Sequence, residues 1–216
     1  MIKNLKKRII TSFVLSLFLF FAFINNYALA YLLMILSVFS IIEFAGMTKI
    51  FLKKNKASQL LFNLIFIFYI FCFSTIILTL SLSLSTKMLF FLILLICIAS
   101  DVGGFVFGKS LKGPKLTKIS PNKTISGAVG SLIFSSGLTI IFIYFFTKTF
   151  DPKVLIIGLV TSLGCQIGDL FFSFLKRKSS LKDTGSLLPG HGGILDRIDG
   201  ILLGIPVGLL SLLVIY

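Results

Sequence analysis

A glycine-rich polar stretch near the end of the chain carries the residue types of a phosphate and metal site. Residues 182–200 read KDTGSLLPGHGGILDRIDG, in a chain that is 56% hydrophobic. Glycines let backbone amides approach an anion, while lysine and arginine suit phosphate oxygens. Aspartates supply the hard oxygen ligands that Mg²⁺ takes together with substrate phosphates and water. The combination predicts phosphoryl or nucleotidyl transfer, in which positioning and charge neutralisation carry most of the catalysis.

The residues expected to do this chemistry lie within the stretch or just before it. The cations are Lys176, Arg177, Lys182 and Arg197, and the acids are Asp183, Asp196 and Asp199. His191 is the only histidine of the chain, and it is interpreted as a general base, a phosphate donor or a turn residue. Zinc is not expected, because no nearby cysteine or second histidine completes a site. A solvated basic loop beside the membrane would explain the lysines, but not the clustered acids and glycines.

Two further acids, Asp101 and Asp169, lie within apolar segments. An ionised side chain costs about 2.5 to 3.5 kcal/mol at the centre of a membrane helix and less near its end. For Asp101, a helix end that reaches water or a neighbouring lysine is a sufficient explanation. Asp169 differs, because it shares a predicted helix face with Ser173, Lys176 and Arg177 at i+4, i+7 and i+8. We therefore expect a polar stripe leading out of the membrane.

The elements that must position these residues are predicted to be transmembrane helices of an all-α polytopic membrane protein. The 216 residues include 25 Phe, and only 13% are charged, whereas a membrane-crossing helix needs roughly 20 apolar residues. The predicted spans, about seven with a range of six to eight, are Ile9–Ile24, Tyr27–Ile42, Leu60–Leu78, Met88–Phe107, Gly127–Thr147, Val154–Leu175 and Ile201–Tyr216. The first two alternatively form a re-entrant hairpin, or the start is a secretory signal.

The net charge of +14 does not require a nucleic-acid partner, and none is predicted. If the N-terminus is cytoplasmic, all but three of the 21 lysines and arginines fall on the cytoplasmic side, as the positive-inside rule expects. The three exceptions are Lys87, Lys148 and Lys153. Every carboxylate except Asp151 maps to the cytoplasmic side too. The basic segments also suit anionic headgroups, so membrane lipids are predicted partners.

Small residues predict close helix packing around the acids. GxxxG patterns occur at Gly104/Gly108, at Gly164/Gly168 and in the run Gly200/Gly204/Gly208, and such spacing lets transmembrane helices approach closely. The packing is expected to turn Asp101 and Asp169 toward each other, and a homodimer through a GxxxG face is a further hypothesis. The cysteines, Cys72, Cys97 and Cys165, lie in apolar spans without CxxC spacing and are interpreted as small core residues.

Residues 173–199, SFLKRKSSLKDTGSLLPGHGGILDRID, resemble the signature of the phosphatidate cytidylyltransferase family, also called CDP-diacylglycerol synthases. The pattern is S-x-x-K-R, K-D-x-G and P-G-H-G-G-x-x-D-R-x-D, and every fixed position is filled. ASDVGGFVFGK at 99–109, ISPNKT at 119–124 and IGDL at 167–170 resemble other blocks of the family. The chain therefore divides into a generic N-terminal transmembrane part, 1–95, and a catalytic transmembrane part, 96–216. Ile125 and Ser126 replace the aromatic and acidic residues that usually follow S-P-x-K-T.

The resemblance implies that CTP and phosphatidic acid give CDP-diacylglycerol and pyrophosphate, with Mg²⁺ required and a second cation left open. It implies Asp169 and Asp196 as metal-binding acids, with Ser173, Lys176 and Arg177 lining the same cavity. Lys182, Asp183 and His191 are expected to organise the polar loop or handle protons. Arg197 and Asp199 complete the predicted catalytic set. The predicted substrate-binding residues are Asp101, Ser120, Lys123, Ser173, Gly192 and Gly193.

Two other functions remain open from the sequence. One is a transporter of cations or phosphorylated solutes, since aspartates lie in apolar segments; against it, the acids gather at one face, and no inverted repeat is evident. The other is CTP-dependent transfer to a different lipid phosphate. The predicted location is the cytoplasmic (inner) membrane of a bacterium, in a multi-pass arrangement with the site facing cytosolic CTP.

Overall fold

The computed structural model describes residues 13–14, 16–117, 119–185 and 192–215, and in these residues the chain is helical without a strand. A short helix, α1, covers residues 16–24. The long helices are α2 (Asn26–Phe51), α3 (Lys56–Leu80), α4 (Leu84–Leu111), α5 (Ile125–Thr147), α6 (Lys153–Lys178) and α7 (Leu195–Ile215). All six are long and apolar enough to cross a membrane. The prediction of an all-α polytopic membrane protein is confirmed.

The long helices correspond to the predicted spans but extend several residues beyond them. Polar side chains set three of the starts: Asn25 accepts from the Tyr27 amide, Asn55 from Ser58 and Thr124 from Gly127. Such caps satisfy amides that have no partner within the helix. Part of the first predicted span, Ile9–Ile24, lies outside the described residues. The division at residues 95 and 96 remains a prediction.

The chain packs as two compact units, which are described separately. The first unit comprises Met1–Thr86 and Leu175–Ile198, and the second comprises Lys87–Phe174 and Asp199–Tyr216. Each unit therefore combines segments that are distant in the sequence.

In the first unit, α2 packs against α3 through aromatic and polar contacts. The rings of Phe44 and Phe66 stack with centroids 3.9 Å apart. Thr48, four residues after Phe44 on α2, donates to the Asn63 side chain of α3 at 2.8 Å. The polar contact satisfies groups that would otherwise be costly in an apolar environment.

In the second unit, glycines bring pairs of helices into backbone contact. A Cβ added at Gly168 would lie 2.7 Å from the carbonyl oxygen of Asp199, and one at Gly164 would lie 3.2 Å from the Cα of Gly204. Helices α4 and α5 approach in the same way, since a Cβ at Gly103 would lie 2.7 Å from the carbonyl oxygen of Gly130. The predicted role of the GxxxG patterns in close packing is therefore seen within the chain.

Candidate functional site

The link between α4 and α5 belongs to the second unit. It folds back on itself and carries several polar side chains. The Leu116 amide donates to the Lys123 carbonyl at 2.8 Å, and the Ile125 amide donates to the Pro114 carbonyl at 3.0 Å. Thr124 then caps α5 by accepting from the Gly127 amide. Because these bonds fix the end of the link, Lys123 is held at the start of α5.

A cavity of about 180 Å³ lies in the second unit at this point. Its lining residues come from α4, the link, α5 and α6, and they are Asp101, Gly104, Phe105, Leu116, Asn122, Lys123, Thr124, Gly127, Ala128, Ser131, Gln166 and Asp169. Asp101 and Asp169, which the sequence predicted to turn toward each other, both line this cavity. Polar groups converging on a cavity between helices are the usual form of a small-ligand site.

Asp169 carries the negative charge of an ion pair at the cavity. Its Oδ2 accepts from the Lys123 Nζ, and both side chains remain 28% exposed. Gln166, one turn earlier on α6, donates to the Ala128 carbonyl at 3.2 Å and so ties α6 to α5. The arrangement leaves a carboxylate and an ammonium group within reach of a phosphate or a cation that enters the cavity.

The departure from the family pattern at Ile125 and Ser126 falls outside the lining of this cavity. Ile125 is 46% exposed, and the Ser126 hydroxyl lies 3.0 Å from that of Thr124. Thr124 and Gly127 on either side do line the cavity. The missing acid therefore removes no lining group from the cavity as it is built here.

The first unit contains the second predicted metal acid, Asp196, in a closed setting. Its Oδ1 accepts from Lys176 Nζ at 2.7 Å. Its Oδ2 accepts from the amides of Thr184 and Gly193 at 2.8 and 3.0 Å. The side chain is only 6% exposed, and that of Lys176 12%. Both oxygens of Asp196 are thus engaged in holding its own loop.

A second buried carboxylate, Glu43 of α2, reaches the same part of the first unit. Its Oε1 accepts from the Ile194 amide at 2.9 Å, and its Oε2 accepts from the Leu195 amide at 2.9 Å and the Thr184 hydroxyl at 2.7 Å. Leu195 is the first residue of α7. Glu43 therefore caps α7 from a distant helix and satisfies amides that the helix itself cannot.

The other predicted residues fall into three groups. Arg177, Lys182, Asp183 and Arg197 are exposed, and Asp183 packs beside Gly192. Asp199 is 7% exposed, and it accepts from the Gly200 amide at 2.9 Å. Ser120 and Ser173 are half-buried and are not among the residues that line the cavity.

Gly192 and Gly193 serve the first unit through the backbone. Gly192 has a φ of +83°, which side-chain-bearing residues rarely adopt. The Gly193 amide is the donor to Asp196. His191 lies outside the described residues. Helix α6 carries Asp169, Ser173, Lys176 and Arg177, so their predicted placement on one helix is confirmed.

The fit of the residues to Mg²⁺ differs between the two predicted metal acids. Among the described residues, no group of three or more histidine, cysteine, aspartate or glutamate side chains could hold a metal. The cavity of the second unit nevertheless offers the carboxylates of Asp101 and Asp169 and the amide oxygens of Asn122 and Gln166. Such a set fits a hard cation that keeps several waters and substrate phosphates. Asp196 would have to share oxygens that already accept three hydrogen bonds.

Several polar residues outside the predicted site belong to these settings, among them Glu43, Asn122, Gln166 and Thr184. Gln166 could have been found from its spacing, because it lies one turn before Asp169 in an apolar segment. Glu43 is one of only seven carboxylates, and an acid in an apolar helix predicts a partner. Its donors, however, lie about 150 residues further along the chain.

Comparison with known proteins agrees with the signature. The family model described as "Cytidylyltransferase family" matches residues 3–215. A phosphatidate cytidylyltransferase of Rickettsia felis is 42% identical over 127 residues, which cover 54% of this chain and 56% of that protein. One of Staphylococcus aureus (strain COL) is 42% identical over 123 residues, or 56% of this chain and 46% of that protein.

The phosphatidate cytidylyltransferase of Mycobacterium leprae is 41% identical over 113 residues, covering 52% of this chain and 36% of that protein. The chain thus spans about half or less of the length of these bacterial relatives. The family match, in contrast, extends over nearly all of the chain. On that match, this multi-pass membrane protein belongs to the cytidylyltransferase family.

Proposed function

We propose that the protein transfers CMP from CTP to phosphatidic acid, giving CDP-diacylglycerol and pyrophosphate for phospholipid biosynthesis. The observation that carries the proposal is the cavity of the second unit, where Asp101, Asp169 and Lys123 converge, in a chain of the cytidylyltransferase family. The names of the relatives supply the acceptor, phosphatidate, and the transferred cytidylyl group. Nucleotidyl transfer needs the charge neutralisation that such a cavity offers.

In the proposed reaction, an oxygen of the phosphatidate phosphate attacks the α-phosphorus of CTP. A new P–O bond forms, the bond from the α-phosphorus to the oxygen bridging to the β-phosphorus breaks, and pyrophosphate leaves with the bonding electrons. The attacking oxygen is largely deprotonated at neutral pH, since the second pKa of a phosphate monoester is about 6. A strong general base is therefore not needed, and the protein's task is positioning and charge stabilisation.

The described residues divide this task. Lys123 exchanges part of its interaction with Asp169 for a phosphate oxygen and stabilises negative charge that moves toward pyrophosphate. Asp101 and Asp169 orient the cationic groups and, with Asn122 and Gln166, would hold Mg²⁺. The cation supplies Lewis-acid stabilisation of the phosphoryl oxygens when it is bound. The proposed reaction requires one Mg²⁺ ion, and a second cation is not specified.

The signature residues of the first unit are proposed to hold phosphate and lipid headgroup. Arg177, Lys182 and Arg197 are exposed and carry donors suited to phosphate oxygens. Lys176 pairs with Asp196 in the same unit, and Asp183 packs beside Gly192. His191, Ser120, Ser173 and Asp199 keep the roles that the family resemblance implies, as part of this proposal.

The proposed location is the cytoplasmic membrane of a bacterium, with both sets of residues facing the cytosol. The bias of lysine and arginine toward one side supports this orientation, and CTP is a cytosolic substrate. CTP, phosphatidic acid and membrane lipids are the proposed partners. The homodimer stays a prediction, because the glycines expected to form it pack helices within the chain.

The experiment is transfer of label from [α-³²P]CTP into chloroform-soluble lipid by the purified protein with Mg²⁺. Phosphatidic acid competes in the same assay with a polyprenyl phosphate and with an ether-lipid phosphate. Label in CDP-diacylglycerol supports the proposal, and preferential label in another lipid would change the acceptor. No label with any acceptor, together with solute flux in vesicles, would replace the proposal with transport.

A further inference from the structure

The strongest unassigned feature is Glu43, a buried carboxylate in the part of the chain where the sequence offered only a generic hydrophobic match. It is 5% exposed and lies on α2, a 26-residue apolar helix. Among the residues that the structure describes, its oxygens accept from three donors: the Thr184 hydroxyl and the Ile194 and Leu195 amides. An ionised carboxylate accepts hydrogen bonds only, so this set matches it fully.

The donors lie at functionally important points of the loop. Ile194 and Leu195 form the start of α7, whose first turn contains Asp196. Thr184 contributes its hydroxyl to Glu43 and its amide to Asp196. Asp196 in turn accepts from Lys176. Glu43 and Asp196 therefore share Thr184 as a donor residue, and their other donors, Gly193 for Asp196 and Ile194 and Leu195 for Glu43, are consecutive in the chain. A displacement of Thr184 or of this short segment affects both carboxylates.

Glycines leave the space that Glu43 occupies. A Cβ at Gly185 would lie 2.7 Å from Glu43 Oε1. A Cβ at Gly193 would collide with Glu43 Oε2 and with the Thr184 hydroxyl oxygen. Two glycines of the family signature are thus explained by the presence of a carboxylate from α2.

The same face of α2 contacts the end of α6. Met47, four residues after Glu43, accepts through its carbonyl from the Ser179 hydroxyl at 3.2 Å. Phe51, four residues further, lies under the Lys178 ammonium at 5.6 Å from the ring centroid. Because residues four apart share a helix face, one face of α2 supports both ends of the loop that carries the signature.

We infer that Glu43 is a positioning residue, which holds Thr184, Ile194 and Leu195 and through them Asp196 and Lys176; as a role in the reaction, this rests on the proposed function. Glutamine has nearly the same size as glutamate, but it must point its NH₂ group at one of the three donors. Glu43→Gln therefore removes the match without opening a large cavity. Thr184→Val removes a single hydroxyl donor and is the milder variant.

The first measurement is hydrogen exchange, by mass spectrometry, of the full-length protein in detergent. In Glu43→Gln we expect the Ile194 and Leu195 amides to exchange at least about tenfold faster than in the wild type. Amides of α2 and α3 around Thr48 and Asn63 should keep their protection, which separates local release from global unfolding. Gly46→Ala is the matched control on α2, because a Cβ there meets nothing within 4 Å.

The second measurement is the transfer assay on the same variants. We expect Glu43→Gln to raise the KM for CTP several-fold and Thr184→Val to raise it less. KM separates a positioning role from partial unfolding, because a partly unfolded sample would lower only the apparent kcat. Unchanged exchange at Ile194 and Leu195 would overturn the structural tie, and faster exchange with an unchanged KM and kcat would overturn the positioning role. Failure of the wild type to transfer label would overturn the proposed function, while the exchange data still decide the tie.

Discussion

Each of the two predicted metal acids pairs with a lysine, but one pair is partly exposed and the other is nearly buried. In the second unit, Asp169 and Lys123 are each 28% exposed and line a cavity. In the first unit, Asp196 and Lys176 are 6% and 12% exposed, and two backbone amides complete the carboxylate's hydrogen bonds. The comparison shows that the Asp169 carboxylate is open to the cavity, whereas the Asp196 carboxylate is engaged by a lysine and two amides; the predicted metal role of both acids stays a prediction.

The largest expected effect is on stability, at Asp196. Asp196→Asn removes the carboxylate that pairs with Lys176, whose side chain is 12% exposed, and breaking a buried pair in this way costs about 3 to 5 kcal/mol. We expect a clearly lower unfolding temperature in detergent. Adding Lys176→Met to this variant should restore part of the stability, since it removes the charge that has lost this carboxylate. An unfolding temperature equal to the wild type's would show that Asp196 is not a structural anchor.

Asp169→Asn should act on catalysis instead. We expect transfer of label from CTP to fall by about 100-fold or more, as for removal of one preorganised electrostatic group. The unfolding temperature should change little, because partly exposed ion pairs contribute about 0 to 1 kcal/mol. Asp151→Asn is the matched control, because it makes the same chemical change at a residue that does not line the cavity. Full activity in Asp169→Asn would show that the charge of Asp169 is not needed for transfer.

Gly192→Ala tests the backbone of the first unit. The φ of +83° costs a residue with a Cβ about 1 to 2 kcal/mol, and that Cβ would lie 3.1 Å from Asp196 Oδ2. We expect a modest loss of stability and a roughly tenfold lower transfer rate. Gly137→Ala, where a Cβ meets nothing within 4 Å, should be neutral. Equal behaviour of the two variants would contradict the strain at Gly192.

The smallest effect is expected at Ser126, where the family usually has an acid. Ser126→Glu restores that residue at a position outside the cavity lining. Ser126 contacts the Thr124 hydroxyl but does not line the cavity, so we expect transfer to stay within about twofold of the wild type, in the range of most single substitutions. A large gain in transfer would mean that the acid contacts substrate and that the cavity is incomplete without it.

The sequence could predict the features that depend on local pattern. The apolar runs predicted α2 to α7, and the glycine spacing together with the isolated acids predicted that Asp101 and Asp169 share a cavity. The resemblance added Lys123 through the block that precedes α5. Each of these depends on residues that are close in the chain or on a helix face with a regular period.

The surroundings of Asp196 could not be predicted in the same way. Its loop is held by Glu43, whose hydrogen-bond partner Thr184 is 141 residues away, and the periodicity of an apolar helix does not reveal which residue it meets. The closed state of Asp196 also depends on backbone amides of Thr184 and Gly193. Backbone donors carry no sequence signal, so the hydrogen bonds that engage both oxygens of Asp196 could not be predicted from the sequence.

The long separation between Glu43 and its donors has a consequence for biosynthesis. The amide that pairs with Glu43 Oε1 belongs to a residue synthesised 151 positions later. Until that segment leaves the ribosome and folds, Glu43 lacks these donors, and a polar group left unsatisfied in an apolar setting is costly. We therefore expect the first helices to reach their final packing only after α7 has been synthesised and its first residues have bound Glu43.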